Sequence, residues 1–450
     1  MKNRVPFCLI LSLLAVASCG NLPQEKAILS GIKAPVFRPV DYTPEPGADF
    51  RQALNAAIEK CSSEGGGRVV VPAGRHECDG PVVLRSNVEL HLEKDAEIAF
   101  SSSPEAYLPA VRTFFEGTEL YNYSPLVYAV GQENIAITGE GVLNGQASGG
   151  FAQFRPQRSA QQDSLRQMGI DGVPGEKRCF GARSILPPNM IQPISCRNIL
   201  IEGVTILDSP YWIIHPVLCD NVTVRGVKIS SYNRNNDGCD PEFTSNVLIE
   251  DCTFDCGDDA IAIKAGRDQD GWRVGIPTRN ILVRGCRFNS KCNGLCIGSE
   301  MSAGVENVVA KDIEIGACHS AIYFKSNLDR GGYIRNVRVS NIVCDTVRTA
   351  FVRFETAYHG ARGGHHPTTF DNFLVENVRG RASGQCGFYA VGVEDKPLGR
   401  IVLKNVCLER TPEPYVLRYA GDVEFRNVTI AGRKMTRRPS ETAQSKLRTF

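Results

Sequence analysis

Apolar and polar residues alternate with a period of two through most of this chain, in short runs broken by Gly, Asn or Asp, the pattern of half-buried strands. One phrase recurs: Asn, a branched apolar residue, any residue, then a second branched apolar residue. It stands at Asn134-Ile-Ala-Ile, Asn198-Ile-Leu-Ile, Asn221-Val-Thr-Val, Asn246-Val-Leu-Ile, Asn280-Ile-Leu-Val, Asn307-Val-Val-Ala and Asn336-Val-Arg-Val. Weaker copies follow at Asn372-Phe-Leu-Val, Arg400-Ile-Val-Leu and Asp422-Val-Glu-Phe. The copies lie roughly 22 to 36 residues apart, a solenoid period. No unit contains a convincing amphipathic helix, and strands repeated without crossover helices stack as the coils of a parallel β-helix, each bonded to its neighbours about 4.8 Å away. Asn suits a corner of such a stack, because it tolerates the left-handed conformation and its amide can bond the copy on the next coil.

One segment reads as helix, Ala48 to Ser62, with Phe50, Leu54, Ala57, Ile58 and Cys61 on one face. Its place ahead of Gly65-Gly66-Gly67 and the strand from Arg68 predicts a cap over the N-terminal end of the solenoid, where open strand edges invite association. Ala147 to Pro188, rich in Gly, Pro, Gln and Arg, interrupts the repeat and reads as a long loop at the rim. The tail from about Lys434 is polar and basic.

The first residues carry positive charge, then an apolar run from Val5 to Ala17, then Ser18-Cys19-Gly20, the order of a secretory signal. Val16-Ala-Ser-Cys19 also resembles a bacterial lipoprotein cleavage box, which makes Cys19 a lipid attachment point. The organisation expected is a signal over 1–18, a tether over 19–40, one solenoid domain over 41–432 and a flexible tail over 433–450. No other stretch is long and apolar enough for a membrane helix. The 51 basic and 49 acidic residues leave a net charge of +2 and no support for nucleic-acid binding. Seventeen cysteines leave an odd number once Cys8 and Cys19 are set aside; many stand in strand patterns where a small hydrophobe serves, and no Cys-x-x-Cys pair recurs with zinc spacing. No metal or other cofactor is called for.

Four units align without gaps: Asp237-Gly-Cys-Asp-Pro-Glu242, Asp259-Ala-Ile-Ala-Ile-Lys264, Asn293-Gly-Leu-Cys-Ile-Gly298 and Ser320-Ala-Ile-Tyr-Phe-Lys325. Alternation sends the third and fifth residues of each to the core. Asp240, Glu242, Lys264, Tyr323 and Lys325 fall on the other face, with Asp237, Asp259 and Asn293 at the turn that opens each strand. Stacking then crowds Asp237, Asp258 and Asp259, and crowding raises at least one carboxyl pKa. Glycoside hydrolysis wants such a cluster, one carboxyl protonated and another ionised; calcium binding wants converging carboxylates as well, and crowded acids at a corner are sometimes only solvated surface.

With these motifs in hand, the sequence resembles glycoside hydrolase family 28, the polygalacturonase family, over most of its length. The resemblance runs through Gly65-Gly-Gly-Arg-Val-Val-Val-Pro-Ala-Gly74, Gly141-Val-Leu-Asn-Gly145 and Ser209-Pro-Tyr-Trp-Ile-Ile-His-Pro216 to Asn235-Asn236-Asp237 and Gly257-Asp258-Asp259, which match the family's Asn-x-Asp and Gly-Asp-Asp. It implies an all-β, single-stranded, right-handed parallel β-helix, and inverting hydrolysis in which Asp258 is the general acid while Asp237 and Asp259 hold and deprotonate water. Two motifs depart. The family's Gly-His-Gly is Cys292-Asn293-Gly294, and its Arg-x-Lys is Tyr323-Phe324-Lys325. Lys325 keeps a point charge for a sugar carboxylate and loses the arginine fork.

Substrate contacts are expected from Asn235, Lys264, Asn293, Tyr323 and Lys325, and from His359 in the Gly-rich, His-rich stretch Tyr358 to His366, which is a candidate source of the missing histidine. Trp212 and His215 read as packing residues. The expected partner is a pectic polysaccharide or oligosaccharide, met by a single copy of an exported chain in a bacterial periplasm or at the cell surface, with the membrane touched only through a lipid. The rivals are a lyase on the same solenoid, with calcium held by Asp237, Asp240 and Glu242 and a lysine base, and a non-catalytic glycan-binding lipoprotein.

Overall fold

A computed structural model of the chain describes residues 22–47, 49–358 and 361–442. The expected signal peptide, Cys19 and His359 lie outside the described residues.

The chain winds into a right-handed parallel β-helix whose strands pair coil on coil in register. Val222 stands opposite Val247, then Ile281, Val308, Val337, Phe373, Ile401 and Val423, so one apolar position is repeated up the axis. These side chains belong to one continuous buried core. Each recurring Asn turns the corner in the left-handed region, where its short polar side chain costs little, from Asn134 (φ 53°) to Asn372 (φ 61°). The amides form the expected ladder, Asn198 to Asn134 at 2.9 Å, Asn221 to Asn198 at 2.8 Å and Asn280 to Asn246 at 3.0 Å. Asn246 breaks the run by bonding Asp220, and a second ladder climbs from Asn341 through Asn377 and Asn405 to Asn427.

The face that matters for function is a second parallel ladder: Ile261–Ile263, Asn293–Ile297, Ser320–Lys325, Ala350–Glu355, Cys386–Val391 and Glu413–Arg418. Single bridges Ile214 to Cys239 and Cys239 to Ile261 continue it toward the N-terminus. Ile261, Leu295, Ile322 and Val352 stack inward as the alignment predicts, and the register carries Cys296 opposite Tyr323 and Tyr323 opposite Arg353 on the outward face.

Helix α1 spans Glu25–Leu29 and α2 spans Phe50–Ser63. Asp49 caps α2 through the Gln52 amide, and Leu54, Ile58 and Cys61 are buried against the first coil, as a terminal cap requires. The stretch read as a tether is not free along its whole length. Ile28 of α1 packs on Leu248, Leu282 and Val309 on the outside of the solenoid, Glu25 meets Arg284 and Lys311 at 2.7 and 2.8 Å, and the Lys33 backbone bonds Asn221. Nor is the described part of the tail detached: Arg433–Lys434 pairs antiparallel with the last coil, and Thr442 N–H bonds the Leu417 carbonyl at 2.9 Å.

The insertion departs from the expected loop. It contains helix α3, Ser159–Ile170, and a fourth helix, α4, covers Asp268–Val274. Neither shows a strong apolar stripe; buried ion pairs hold them, as described next. An antiparallel hairpin, Val111–Phe115 with Thr118–Asn122, leans over the same face. Its turn residue Gly117 (φ 80°) accepts the Arg267 N–H at 3.1 Å, an approach that a Cβ, only 2.7 Å from that nitrogen, would obstruct. None of the described cysteines is disulfide-bonded, and most are buried in the core.

Candidate active site

The outward side chains of the second ladder, the insertion and the hairpin enclose a cleft of about 780 Å³. Asp237, Asp258 and Asp259 meet at its floor. A carboxylate oxygen of Asp258, one of Asp259 and the Cys292 thiol lie within 4.8 Å of one another. Asp259 is buried; Asp258 is mostly buried and borders the cleft, its Oδ1 held by the Asp259 N–H at 3.1 Å.

Environment separates the three carboxyls. Burial raises the pKa of Asp258, and neighbouring Asp259 raises it further. Burial acts on Asp259 in the same direction, but Lys325, with Nζ 3.0 Å from Oδ2, outweighs it together with Lys264 and the Asn293 amide, and Asp259 stays below the ordinary carboxylate range. Asn293 donates to Asp259 twice, from its backbone N–H at 3.1 Å and from Nδ2 at 2.6 Å. The residue that replaces the expected histidine therefore clamps a carboxylate in its ionised form. Asp237 is pushed well up, first by burial and then by Asp240 and Asp258. Burial pushes Asp240 well up too; it is fully buried, and neither carboxyl oxygen has a hydrogen bond shorter than its 3.9 Å approach to Lys264. A carboxyl biased toward its protonated form and another kept ionised, in one cleft, are the two forms that glycoside hydrolysis needs.

Lys264 lies beneath Asp237. Its Nζ is 3.8 Å from Asp237, 3.9 Å from Asp240 and 3.2 Å from Glu300, and 4.5 Å from the centre of the Trp212 ring. Burial pulls its pKa down, but Glu300, Asp237 and Asp240 win and hold it protonated. The position where Asp237 and Asp240 would share a cation is thus occupied by an ammonium group, and Glu242, the third expected ligand, is engaged by His215 and by the Gly266 N–H, both at 2.9 Å. Cys292 offers a cation little, because burial and then Asp258 push its thiol pKa up and keep it neutral.

The other expected contacts divide. Tyr323 lines the cleft and donates to Glu355; Tyr358 lines it too, packed edge-on against Tyr323. Asn235 lines it and accepts from Arg158 of the insertion. His365 and His366 turn elsewhere, to Asp395 and to the Trp272 ring. Among the described residues the histidine at the cleft is His319, one coil beyond Cys292, and burial holds its pKa down. His215 is a packing residue as expected, fully buried among Asn189, Gln192 and Glu242. Trp212 is not only that, since its ring borders the cleft.

Several cleft residues escape sequence reasoning: Glu116, Arg166, Arg267, Glu300, Arg330, Arg353 and Glu355. For the last two a signal exists. Ala350-Phe-Val-Arg-Phe-Glu355 is a fifth copy of the aligned phrase, and its fourth and sixth residues are Arg353 and Glu355. Of the rest, Arg166 stands on helix α3 and the others come from turns and loops. Arg267 joins Glu116 at 2.9 Å to Glu300 at 3.0 Å, and Arg330 joins Asp268 to Glu300 and to the Ser299 carbonyl.

Helix α3 crosses the groove. Near its start Arg158 bonds Asn235, on the bank where the strands of the face begin; near its end Arg166 meets Asp268 and Asp329, both at 2.7 Å, on the bank where those strands finish. Asp329 also gathers the Arg362 and Gly364 N–H groups at 2.6 and 2.8 Å, and Arg362 pairs with Asp163 of α3. Insertion, α4 and the loop after Glu355 are thereby joined into one wall beside the carboxylates.

Comparison with known proteins agrees with this geometry. The family model for glycosyl hydrolases family 28 matches residues 61–415. A structure of an exopolygalacturonase from Thermotoga maritima superposes with a TM-score of 0.88 at 37% identity, covering 91% of this chain and 96% of that one. An endo-polygalacturonase of Pectobacterium carotovorum subsp. carotovorum is 25% identical over 413 residues, 89% of this chain and 94% of its own. The family 28 exopolygalacturonase of Yersinia enterocolitica shares the fold, with a TM-score of 0.72 at 21% identity over 90% of this chain and 78% of its own. With the family model matched from the capping helix to the last coils, and an acid and a carboxylate paired on the cleft floor, the chain belongs to glycosyl hydrolases family 28 and is a glycosidase.

Proposed function

We propose that this chain hydrolyses galacturonic-acid-containing pectic chains from their ends, by inverting acid and base catalysis. The observation that carries chain-end action is α3, tied to both banks, because a polymer cannot run on through a groove that a helix crosses. The 37% identity to an exopolygalacturonase supports the same reading. In the inverting mechanism that the family resemblance implies, Asp258, protonated, gives its proton to the glycosidic oxygen, and Asp259, kept ionised by Lys325 and Asn293, takes one from the attacking water. Asp237, biased toward its protonated form, orients that water. Lys264 holds Asp237 and Asp240 in position, and its sustained charge makes it a poor base for elimination, which counts against a lyase.

The apolar leader and Cys19 belong to this reading as well: a pectic polymer lies outside the cell that digests it, so an exported enzyme held by a lipid on Cys19 meets its substrate. No helix among the described residues is long and apolar enough to cross a membrane.

Incubating the mature protein with polygalacturonan tests the proposal. Free monouronide or a single short product is expected from the first time point, with new reducing ends and no absorbance from unsaturated sugars. A ladder of oligomers overturns chain-end action, and unsaturated product overturns hydrolysis. No turnover on any uronide overturns the substrate class.

The pH profile of kcat/KM is expected to be a broad bell. Its acid limb follows Asp259, whose lowered pKa keeps the base ionised to low pH; its alkaline limb follows Asp258, whose raised pKa keeps the acid protonated to higher pH. In Lys325→Met the Asp259 pKa rises, so the acid limb is expected to move up and the bell to narrow. A limb that stays in place separates Asp259 from the base role.

A further inference from the structure

We propose that Arg353 reads the uronate carboxylate in this cleft, supplying from the next coil the guanidinium that position 323 lacks. This rests on the uronide reading above. The resemblance leaves a tyrosine where a carboxylate-binding arginine is expected, and the strand register sets Arg353 directly opposite that tyrosine.

The site is built for an anion. The Arg353 guanidinium lies 4.5 Å from the centre of the Tyr323 ring and 5.1 Å from that of Tyr389, two rings that fix a planar cation by stacking. Its side chain is only 7% exposed and borders the cleft. Nη2 donates to Glu355 at 2.8 Å, and Tyr323 hydroxyl donates to the same carboxylate. Nε has no partner, and a buried N–H without an acceptor calls for one. A carboxylate arriving from the cleft meets that need and fits the fork of a guanidinium.

The other buried cations are less suited. Lys325 is engaged by Asp259, Lys264 by Glu300, and Arg330 by Asp268 and Glu300. Arg267 also has an unpartnered Nε, but both its terminal nitrogens are held by Glu116 and Glu300. Glu355 is the resident anion that keeps Arg353 aimed and competes with the incoming carboxylate.

The test compares kcat/KM on an oligogalacturonide with kcat/KM on its methyl ester, which keeps the sugar and removes the charge. Wild type is expected to prefer the free acid. In Arg353→Ala the value for the acid falls about 10- to 100-fold while that for the ester changes little, and Arg353→Lys recovers part of the loss. In Glu355→Gln the acid gains on the ester, since the competing anion is gone; this variant keeps the test informative if Arg353→Ala folds poorly, which its melting curve shows. An equal fall on both substrates, or an unchanged acid-to-ester ratio in all three variants, overturns the role of Arg353 and leaves the uronide reading standing. A wild type that hydrolyses neither substrate overturns both.

Discussion

Asp258→Asn is expected to lower kcat on pectic substrate by about 10²- to 10⁴-fold, the usual contribution of a positioned proton donor, while leaving KM and the fold nearly unchanged. Asn is isosteric with Asp and keeps an acceptor for the Asp259 N–H. The carboxyl it removes has a pKa raised first by burial and then by Asp259, so its ionised form is the unfavourable one in the folded protein. Deleting that group relieves the crowding, and the melting temperature is expected to hold or rise. Leaving-group dependence makes the test specific. An aryl uronide departs without protonation, so the variant loses much less on it than on a sugar–sugar bond. A uniform loss on both substrates assigns Asp258 to positioning, and transfers the acid role to Asp237, the other carboxyl lining the cleft that is held above its ordinary range.

The second large effect is on stability. Arg330→Met is expected to destabilise the protein by about 3 to 5 kcal/mol, because it strands buried carboxylates. Arg330 is 2% exposed and binds Asp268, Glu300 and the Ser299 carbonyl. Arg166 still faces Asp268, and Lys264 and Arg267 still face Glu300, which favours the lower end of that range. Guanidinium unfolding measures it, with Arg287→Met as the control. Arg287 pairs with Glu314 where both side chains are about two-thirds exposed, and water replaces such a partner readily. Similar midpoints for the two variants would mean that the Arg330 network contributes no more than a surface pair.

Much of this protein is legible before any coordinates. The Asn phrase discloses the solenoid because each coil meets the same demand as the last: a left-handed corner with an amide to bond, then branched side chains facing in. The aligned phrases place the carboxylates because a strand has a period of two, so face follows from position. Carried one copy further, the same alignment reaches Arg353 and Glu355.

The residues that close and tune the cleft are another matter. Glu116 comes from a hairpin, Arg158 and Arg166 from an insertion whose helix has no clear apolar stripe, and Glu300 and Arg330 from loops that follow strands. No periodicity links Arg166 to Asp268 or Asp329, which are 102 and 163 residues away. The Asn293 replacement is visible in the sequence as the loss of a titratable group; its two hydrogen bonds to Asp259 depend on where the next coil sets its amide.

By itself the sequence determined the coil, its corner, its inward and outward faces and the three acids on one of them, since all of these follow from local period and from a repeat that every neighbour satisfies alike. Only the tertiary structure decided which acid is biased toward its protonated form, which cation faces which carboxylate and where the helix of the insertion lies beside the groove, because those depend on burial and on charges brought together from distant parts of the chain.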